Sequence, residues 1–376
     1  MAVLVAGIVP LGAGATTTTL PVTTTTATSI SCASSVVSTW TLTRMANETI
    51  AVPVDAMHVG SMASAARQGF GGLLLFGSQA PSSLGVVLAR LQAMTPDHAT
   101  MLVMTDEEGG GVRRLTNIVD TFPWAQTMGK NLTPARITAV AARVGASLVA
   151  HGVNTDLAPV ADVDARAVQP DARDPDGLRS FGGSPPKVAA DVVAFARGLT
   201  AAGVTATVKH FPGLGGASWN TDYGPANTKP WSVLQKTGLV PFEAAIAAGV
   251  PAVMVSNAVV PGLSSQPASL SPAVMGELRQ RLGFQGLIMV DSLSARAISA
   301  LGLGPPGAGV QAIAAGADLI LFSAPGAPDV ALSTARAISA ALVRAVRNGT
   351  FPRSTLAAAA AQVLATRSVG LCPTAP

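Results

Sequence analysis

Eight short, apolar, β-rich runs recur along this chain, each followed by a stretch with helical spacing, and this alternation restricts the fold more than any other feature of the sequence. The runs occupy residues 49–54, 72–76, 100–105, 153–157, 204–208, 252–256, 286–290 and 317–322. Most are apolar throughout instead of alternating, the pattern of strands buried on both faces of a helix-covered parallel sheet. Thr133-Pro134, Ser184-Pro185 and Ser271-Pro272 each set a capping hydroxyl before a proline suited to a first helical turn, and Gly283 closes the third of these helices. Eight β/α units favour an α/β fold of the (β/α)8, TIM-like barrel type over an open doubly wound sheet. An open nucleotide-binding sheet would carry a glycine-rich phosphate turn after its first strand. Residues 69–77 are only superficially like that, and no GxxxxGK occurs.

With 49% hydrophobic and 12% charged residues, the chain can bury a large core. The formal net charge is +4, and Arg113-Arg114 is the one adjacent Lys/Arg pair, so no electrostatic footprint for nucleic acid is present. Residues 1–15 are apolar and end in Ala13-Gly14-Ala15, the pattern of an export signal, although no basic residue precedes them. The segment is too short, and too broken by Gly and Pro, to span a bilayer. Residues 16–31 are Thr-rich and are expected to form a flexible spacer, leaving one folded domain over 32–376. Cys32 and Cys372, the only cysteines, flank that domain. For an exported chain a disulfide between them is expected. Two unpaired thiols are the alternative, and a lipid anchor on Cys32 is a third, opposed by the poor lipobox Ser29-Ile30-Ser31. A secreted or cell-surface monomer is the expected state.

Barrel chemistry sits at the C-terminal ends of strands. Those ends carry Asp55, then Asp106-Glu107-Glu108 with Arg113 and Arg114, then Asp156 and Asp162, then Lys209 and His210, then Ser256 and Asn257, then Asp291. In a chain with few charges, this recurrence at one rim points to a site. The stretch 204–222 ends a strand in Lys209-His210 and returns Asn220 and Asp222 on a glycine-rich, mobile loop; a surface loop holding a few polar groups is the alternative. Asp291 directly follows a buried run, which suits a rigidly held nucleophile and equally a helix N-cap. In DEEGGGVRR, acids lie beside three glycines and two arginines. That composition suits contacts to vicinal hydroxyls and opposes a phosphate cradle; a tight turn closed by a local ion pair is the simpler reading. The four histidines show no paired ligand spacing, so no metal or cofactor is expected. The absence of G-x-S-x-G argues against a Ser-His-Asp hydrolase.

Taken in order, GGLLLF, DEEGGGVRR, APVADVD, LRSFGGSP, KHFPGLG, PASLSP, LGFQGLIMVDSL and AIAAGADLIL resemble glycoside hydrolase family 3, in its single-domain bacterial β-N-acetylhexosaminidase branch. The resemblance implies a (β/α)8 barrel and retaining hydrolysis of a terminal β-linked N-acetylglucosamine, with a cell-wall fragment as the carbohydrate partner and no cofactor. By position, Asp291 matches the nucleophile, and Asp106, Arg114, Arg179, Lys209 and His210 match residues that hold the sugar hydroxyls. The loop departs from the family. Its Asp-x-His acid/base pair is replaced by Asn220-Thr221-Asp222, and the histidine after KHFP is replaced by Leu214. Two readings follow: Asp222 is the acid/base, its proton affinity raised against an apolar wall such as Trp219, or the protein is a catalytically silent binder of peptidoglycan fragments. A family 3 β-glucosidase is a third reading, opposed by the hexosaminidase-branch motifs and by the lack of a second sandwich domain.

Overall fold

In a computed structural model, residues 23–324 and 327–367 are described. The expected export signal over 1–15 and Cys372 lie outside the described residues. Eight parallel strands form the centre: β1 (Ala51–Asp55), β2 (Gly72–Phe76), β3 (Leu102–Thr105), β4 (Thr155–Asp156), β5 (Thr205–Phe211), β6 (Ala252–Val255), β7 (Leu287–Val290) and β8 (Leu319–Ile320). Each pairs with its sequence neighbours. A parallel bridge between Ile50 and Ile320, with Ile320 N–H donating to Thr49 C=O at 2.8 Å, closes β8 onto β1 and makes the sheet a barrel.

Side chains alternate across each strand, so half of every run faces the lumen and half the helical shell. Leu74, Leu102, Met104, Ala252, Met254, Leu287, Met289 and Leu319 pack together inside the barrel. Their neighbours Leu73, Val103, Val253, Ile288 and Ile320 belong to the larger core outside it. Burial on both faces is why these runs read as continuously apolar.

β4 and β8 are shorter than the runs that predict them because polar side chains take over part of the ladder. Val103 N–H donates to Asn154 Oδ1 at 2.8 Å, and Ile288 N–H donates to Asp318 Oδ2 at 2.8 Å.

The shell contains α1 (Thr23–Ser38), α2 (Leu42–Glu48), α3 (Leu84–Gln92), α4 (Pro134–Ala150), α5 (Pro185–Ala201), α6 (Leu239–Ala247), α7 (Pro305–Ala315), α8 (Pro328–Arg347) and α9 (Arg353–Arg367), with shorter helical turns between. Thr133 and Ser271 cap their helices through their hydroxyls, as their prolines suggest. Ser184 stands at the N-cap of α5 without making that bond.

The spacer expected over 16–31 is shorter than its composition implies. From Thr23 the chain is helical, and α1 packs along α9 with Ala33 and Val37 buried in the core. Apolar residues downstream of the threonines give this helix a face to bury, which outweighs the weak helix propensity of Thr. Arg353 ties the two helical ends together by donating to Ser38 C=O and Trp40 C=O, each at 3.1 Å. Cys32 lies on α1, on the side of the molecule where the described chain ends.

At the N-terminal end of the barrel, Glu48 is fully buried between Arg44 and Arg367, and Arg367 also donates to Gly71 C=O at 2.8 Å. Gly71 is required there: a Cβ would lie 1.8 Å from Glu48 C=O, a backbone atom that cannot move aside. We predict that Gly71→Ala lowers unfolding free energy by about 3 kcal/mol, the upper range for overpacking a filled interior. An unchanged urea midpoint would show that the strand entrance can relax.

Candidate active site

The lumen-facing alternation that fills the barrel also places the polar residues at its C-terminal rim. Two residues beyond Met104 is Asp106, and two beyond Met289 is Asp291; Lys209 continues the inward series of Thr205 and Thr207. These side chains therefore stand on the apolar floor made by Leu74, Phe76, Leu157, Met254 and Leu321, in a cleft of about 480 Å³. Asp106, Arg114, Arg179, Lys209, His210, Asp222 and Asp291 all line this cleft. Asp55 does not, and instead caps the turn after β1 by accepting from Met57 N–H at 2.8 Å.

The strand continues past Asp106 into a short hairpin, Glu107–Gly109 with Val112–Arg113, and the same two-residue period sorts its acids. Asp106 and Glu108 face the cleft. Glu107 points the other way and accepts from Arg114 N–H at 2.8 Å and Leu115 N–H at 2.7 Å, holding the turn shut. Burial raises the Glu107 carboxyl to about 7 despite those bonds. Gly110 makes the turn possible, with φ +57° and a missing Cβ that would fall 2.0 Å from the Trp124 ring.

Lys209 is buried between two carboxylates, with Nζ 2.7 Å from Asp106 Oδ1 and 2.7 Å from Glu108 Oε1. Arg179 grips Glu108 with both arms of its guanidinium, Nε to Oε2 at 2.7 Å and Nη2 to Oε1 at 2.8 Å. Arg114 completes the set, 3.7 Å from Asp106 Oδ2. Burial opposes ionisation of Asp106 and Glu108, but the facing cations outweigh it and hold both carboxyls below their usual range. Burial likewise opposes the charge on Lys209, and Asp106 and Glu108 outweigh it, so its proton is held more tightly than usual. The result is a rigid, fully charged wall whose remaining lone pairs and N–H groups face the cleft, the equipment for binding vicinal hydroxyls. The sequence places Glu108 among the rim acids without giving it a role; its position two residues from Asp106 is the signal that it shares the cleft face.

Behind this wall lies a second layer. Buried Asp162 accepts from His210 Nδ1 at 2.7 Å, His210 N–H at 3.2 Å and Leu214 N–H at 2.5 Å. Asp176, also fully buried, lies beside it with its carboxyl raised well above the usual range by burial and by Asp162. Burial therefore favours the protonated form of Asp176. Burial, with repulsion from Arg179 and Lys209, lowers His210 to about 4, so the imidazole is neutral, its Nδ1–H donated to Asp162. Asp162, Asp176 and His210 have ligand atoms within 4.8 Å of one another, the one such cluster among the described residues. His210 Nδ1 and Asp162 Oδ2 already bond to each other, so a cation on those atoms would have to displace that bond.

Asp291 follows β7 and is fixed from both sides. Its N–H donates to Val255 C=O at 2.9 Å and its Oδ1 accepts from Ser292 N–H at 2.7 Å. Asn257 Nδ2 donates to Ser292 C=O at 2.8 Å and Ser269 Oγ donates to Asn257 Oδ1 at 2.6 Å, bracing that turn. The next helix begins only at Arg296, so Asp291 is not its N-cap. Burial raises its carboxyl, His210 and Lys209 oppose the rise, and Asp222 adds to it.

The loop carrying Asp222 is not the free flap its glycines suggest. On one side Asn220 N–H donates to Ala172 C=O at 2.9 Å and Asn220 Nδ2 to Asp171 C=O at 3.3 Å; on the other, Ala297 N–H donates to Thr221 C=O at 3.0 Å. The loop is thus a strap between the segment after β4 and the segment after β7. Trp219 does not wall the cleft, as the sequence suggested. It packs with Leu214, Ala217, Ala226 and Ala258 in a small core under the strap. Asn220 Oδ1 accepts from Asp222 N–H at 2.9 Å, an Asx turn that fixes the backbone of Asp222. Burial by the cleft walls raises the Asp222 carboxyl and Asp106 adds to this, against Arg179 and Arg114, although the residue keeps an exposed surface.

Residues 44–366 match the family described as glycosyl hydrolase family 3, N-terminal domain. The chain is 35% identical over 263 residues to the beta-hexosaminidase LpqI of Mycobacterium tuberculosis, covering 68% of this chain and 64% of that protein, which is less than two thirds of the relative's length. It is 35% identical over 291 residues to an uncharacterized secreted glycosyl hydrolase of Arthroderma benhamiae, covering 74% of this chain and 79% of that protein. The structure superposes on the solved β-N-acetylhexosaminidase of Beutenbergia cavernae with a TM-score of 0.77 at 30% identity, covering 88% of this chain and 99% of that one.

The neutral state of His210 is testable directly. With a pKa lowered to about 4, the ring takes up its second proton only below about pH 5. Ring nitrogen NMR shifts of His210 should therefore stay constant from pH 5 to 8; a titration near 6.5 would contradict the assignment.

Proposed function

Because this chain belongs to glycosyl hydrolase family 3, we propose that it is a retaining exo-hydrolase that releases terminal β-linked N-acetylglucosamine. In this reading Asp291 is the nucleophile and Asp222 the acid/base. Asp106, Arg114, Arg179, Lys209 and His210 bind the sugar hydroxyls, with Glu108 holding the cations in place. The named hexosaminidase relatives support the substrate class. The observation that carries the mechanism is the pairing of Asp222 and Asp291 in one cleft, with Asp291 held on rigid backbone after β7 and its Oδ1 accepting from Ser292 N–H.

Retaining hydrolysis needs one ionised and one protonated carboxyl on opposite sides of the scissile bond. Asp291 has the better claim to the negative charge, because Ser292 N–H bonds to it and Lys209 favours its ionised form. Asp222, lacking a cation in hydrogen-bond contact, is suited to hold the proton, deliver it to the leaving oxygen and then take one from water. Attack by Asp291 gives a glycosyl ester, and the departing alcohol carries away the proton of Asp222. Water then adds to C1, releases Asp291 and returns a proton to Asp222.

The apolar N-terminal run and the secreted relative support export as part of the proposal, with Cys32 paired to Cys372 and peptidoglycan fragments as the source of substrate. Among the described residues no helix is long and apolar enough to cross a membrane.

Asp291→Ala should abolish turnover of an aryl β-N-acetylglucosaminide. Asp222→Ala should lower kcat/KM for a substrate with a poor leaving group by about 10²–10⁴-fold, the usual contribution of general acid catalysis. Unchanged hydrolysis of that substrate would remove Asp222 from the mechanism and favour a different donor; binding without any turnover in the wild type would favour a silent binder.

The pH profile gives a second check. Wild-type activity should be bell-shaped, its two limbs belonging to the coupled pair. In Asp222→Asn the proton lost on the alkaline side is absent, while Asp291 still ionises beside a neutral group, as in the wild type. On an activated aryl substrate the acid limb should stay in place and the alkaline limb should disappear.

A further inference from the structure

A trench of about 430 Å³ lies on the outside of the barrel, where α8 packs against α2. One face of α8 lines it, with Arg336 at one end and Arg344 and Arg347 at the other. At 1.5 Å per residue the backbone positions of the two ends are about 12–16 Å apart. Between them the lining is small and uncharged, made by Ser339, Ala340 and Val343, and Thr43 and Asn47 of α2 line the trench as well. No carboxyl lines it, so three cations share one depression in a chain whose net charge is only +4.

The dipole of α8 favours cations in its last turn, which accounts for Arg344 and Arg347 alone. It does not account for Arg336, two to three turns earlier, or for the way that side chain is held. Gln68 Oε1 accepts from Arg336 Nε at 2.9 Å, and Ser64 Oγ accepts from Arg336 Nη2 at 3.2 Å. Gln68 is itself fixed, its Nε2 donating to Ser64 C=O at 2.9 Å and to Ser64 Oγ at 2.8 Å. These neutral partners orient the guanidinium without cancelling its charge. The guanidinium groups of Arg344 and Arg347 have no partner among the described residues. Ser339 lines the trench at only 4% exposure, and its hydroxyl makes no hydrogen bond among the described residues, although buried hydroxyls ordinarily have a partner. Asn47, also buried, gives one amide hydrogen to Gln68 C=O at 2.7 Å and has a second to offer.

Donors without acceptors, beside three guanidinium forks and no acid, specify an anion, and the guanidinium fork matches phosphate oxygens two at a time. Spacing sets the length of that anion. One phosphate cannot reach both ends, and the stretch between them offers hydroxyl and apolar contacts without charge. We propose that the trench binds a linear phosphodiester chain with short polyol linkers, a phosphate at each cationic end and a linker over Ser339 and Ala340. α8 runs from the catalytic rim back to the far end of the barrel, where its last turn meets the helix that leads into β1. A chain bound there tethers the protein and leaves the cleft around Asp291 open. Binding at this place does not depend on which glycoside the cleft hydrolyses.

Titration calorimetry of the full chain with glycerol phosphate and with a glycerol phosphate hexamer provides the test. The hexamer should bind about a hundredfold more tightly, because a second phosphate is held at high effective concentration once the first is bound. Arg344→Gln combined with Arg347→Gln removes one cationic end, and Ala340→Trp fills the middle without changing the charge. Each should weaken the hexamer by about tenfold or more, and Ala340→Trp should leave glycerol phosphate little changed. Arg197→Gln, at an exposed arginine of α5 outside the trench, should leave binding of both unchanged. All four positions are exposed helix surface, and thermal unfolding of each variant gives the folded fraction to which its binding is normalised. No preference for the hexamer, or equal weakening by Arg197→Gln and the trench variants, overturns the site. Tighter binding of a glutamate hexapeptide than of the glycerol phosphate hexamer overturns phosphate as the anion.

Discussion

A closed barrel of parallel strands must send alternate side chains into a lumen from which water is excluded, and this constraint organises everything above it. As long as the inward residues are Leu, Met or Ala, they fill the interior. Where the strand emerges, the same period brings Asp106, Lys209 and Asp291 inward at the level where the lumen opens to solvent. The acids and the lysine are thereby held on rigid backbone against an apolar floor, where charge interactions are stronger than in water. No separate device is needed to desolvate the site.

Desolvation on that scale has to be matched charge for charge, and the second layer shows how. Lys209 lies between Asp106 and Glu108, and Arg179 takes the far side of Glu108. Removing any one member would leave a buried charge without its partner, a costlier defect than the pair was a benefit. Asp162 and Asp176 use a different solution, in which one of two adjacent buried carboxyls keeps its proton. The ionised member then fixes the imidazole of His210 as a neutral group with a single tautomer. A neutral His210 adds no further positive charge beside Arg179 and Lys209.

The eight runs were legible in the sequence because burial on both faces leaves an unbroken apolar signature, and because glycine and proline mark the turns. What was not legible came from side chains that substitute for backbone. Asn154 and Asp318 complete ladder bonds, so β4 and β8 are shorter than their hydrophobic runs. Within DEEGGGVRR the sequence does not say which acids face a ligand, and only the strand period separates Asp106 and Glu108 from Glu107. The helical start of the chain at Thr23 depends on packing against α9, more than three hundred residues away, which local composition does not encode.

The strap departs from its sequence pattern for the same reason. A glycine-rich loop with a tryptophan suggests a flap whose indole covers the site, but the indole packs beneath the strap, and hydrogen bonds at Asn220 and Thr221 pin it at both ends. That anchoring makes sense of two departures from the family pattern together. Leu214, standing where relatives of this type have a histidine, supplies apolar surface to the core that Trp219 completes. Asn220, standing where they have an aspartate, can no longer polarise an imidazole, and a carboxyl donor does not require that it should. An imidazole acid needs a partner carboxylate to hold its proton-bearing form; a carboxyl acid needs its charged form made costly and its backbone held still. In the proposed mechanism the cleft walls contribute to the first for Asp222, which keeps an exposed surface, and the Asx turn at Asn220 does the second. In that proposed mechanism the three replacements at 214, 220 and 222 are then a single change of proton donor, expressed in the core, the turn and the acid of one strap.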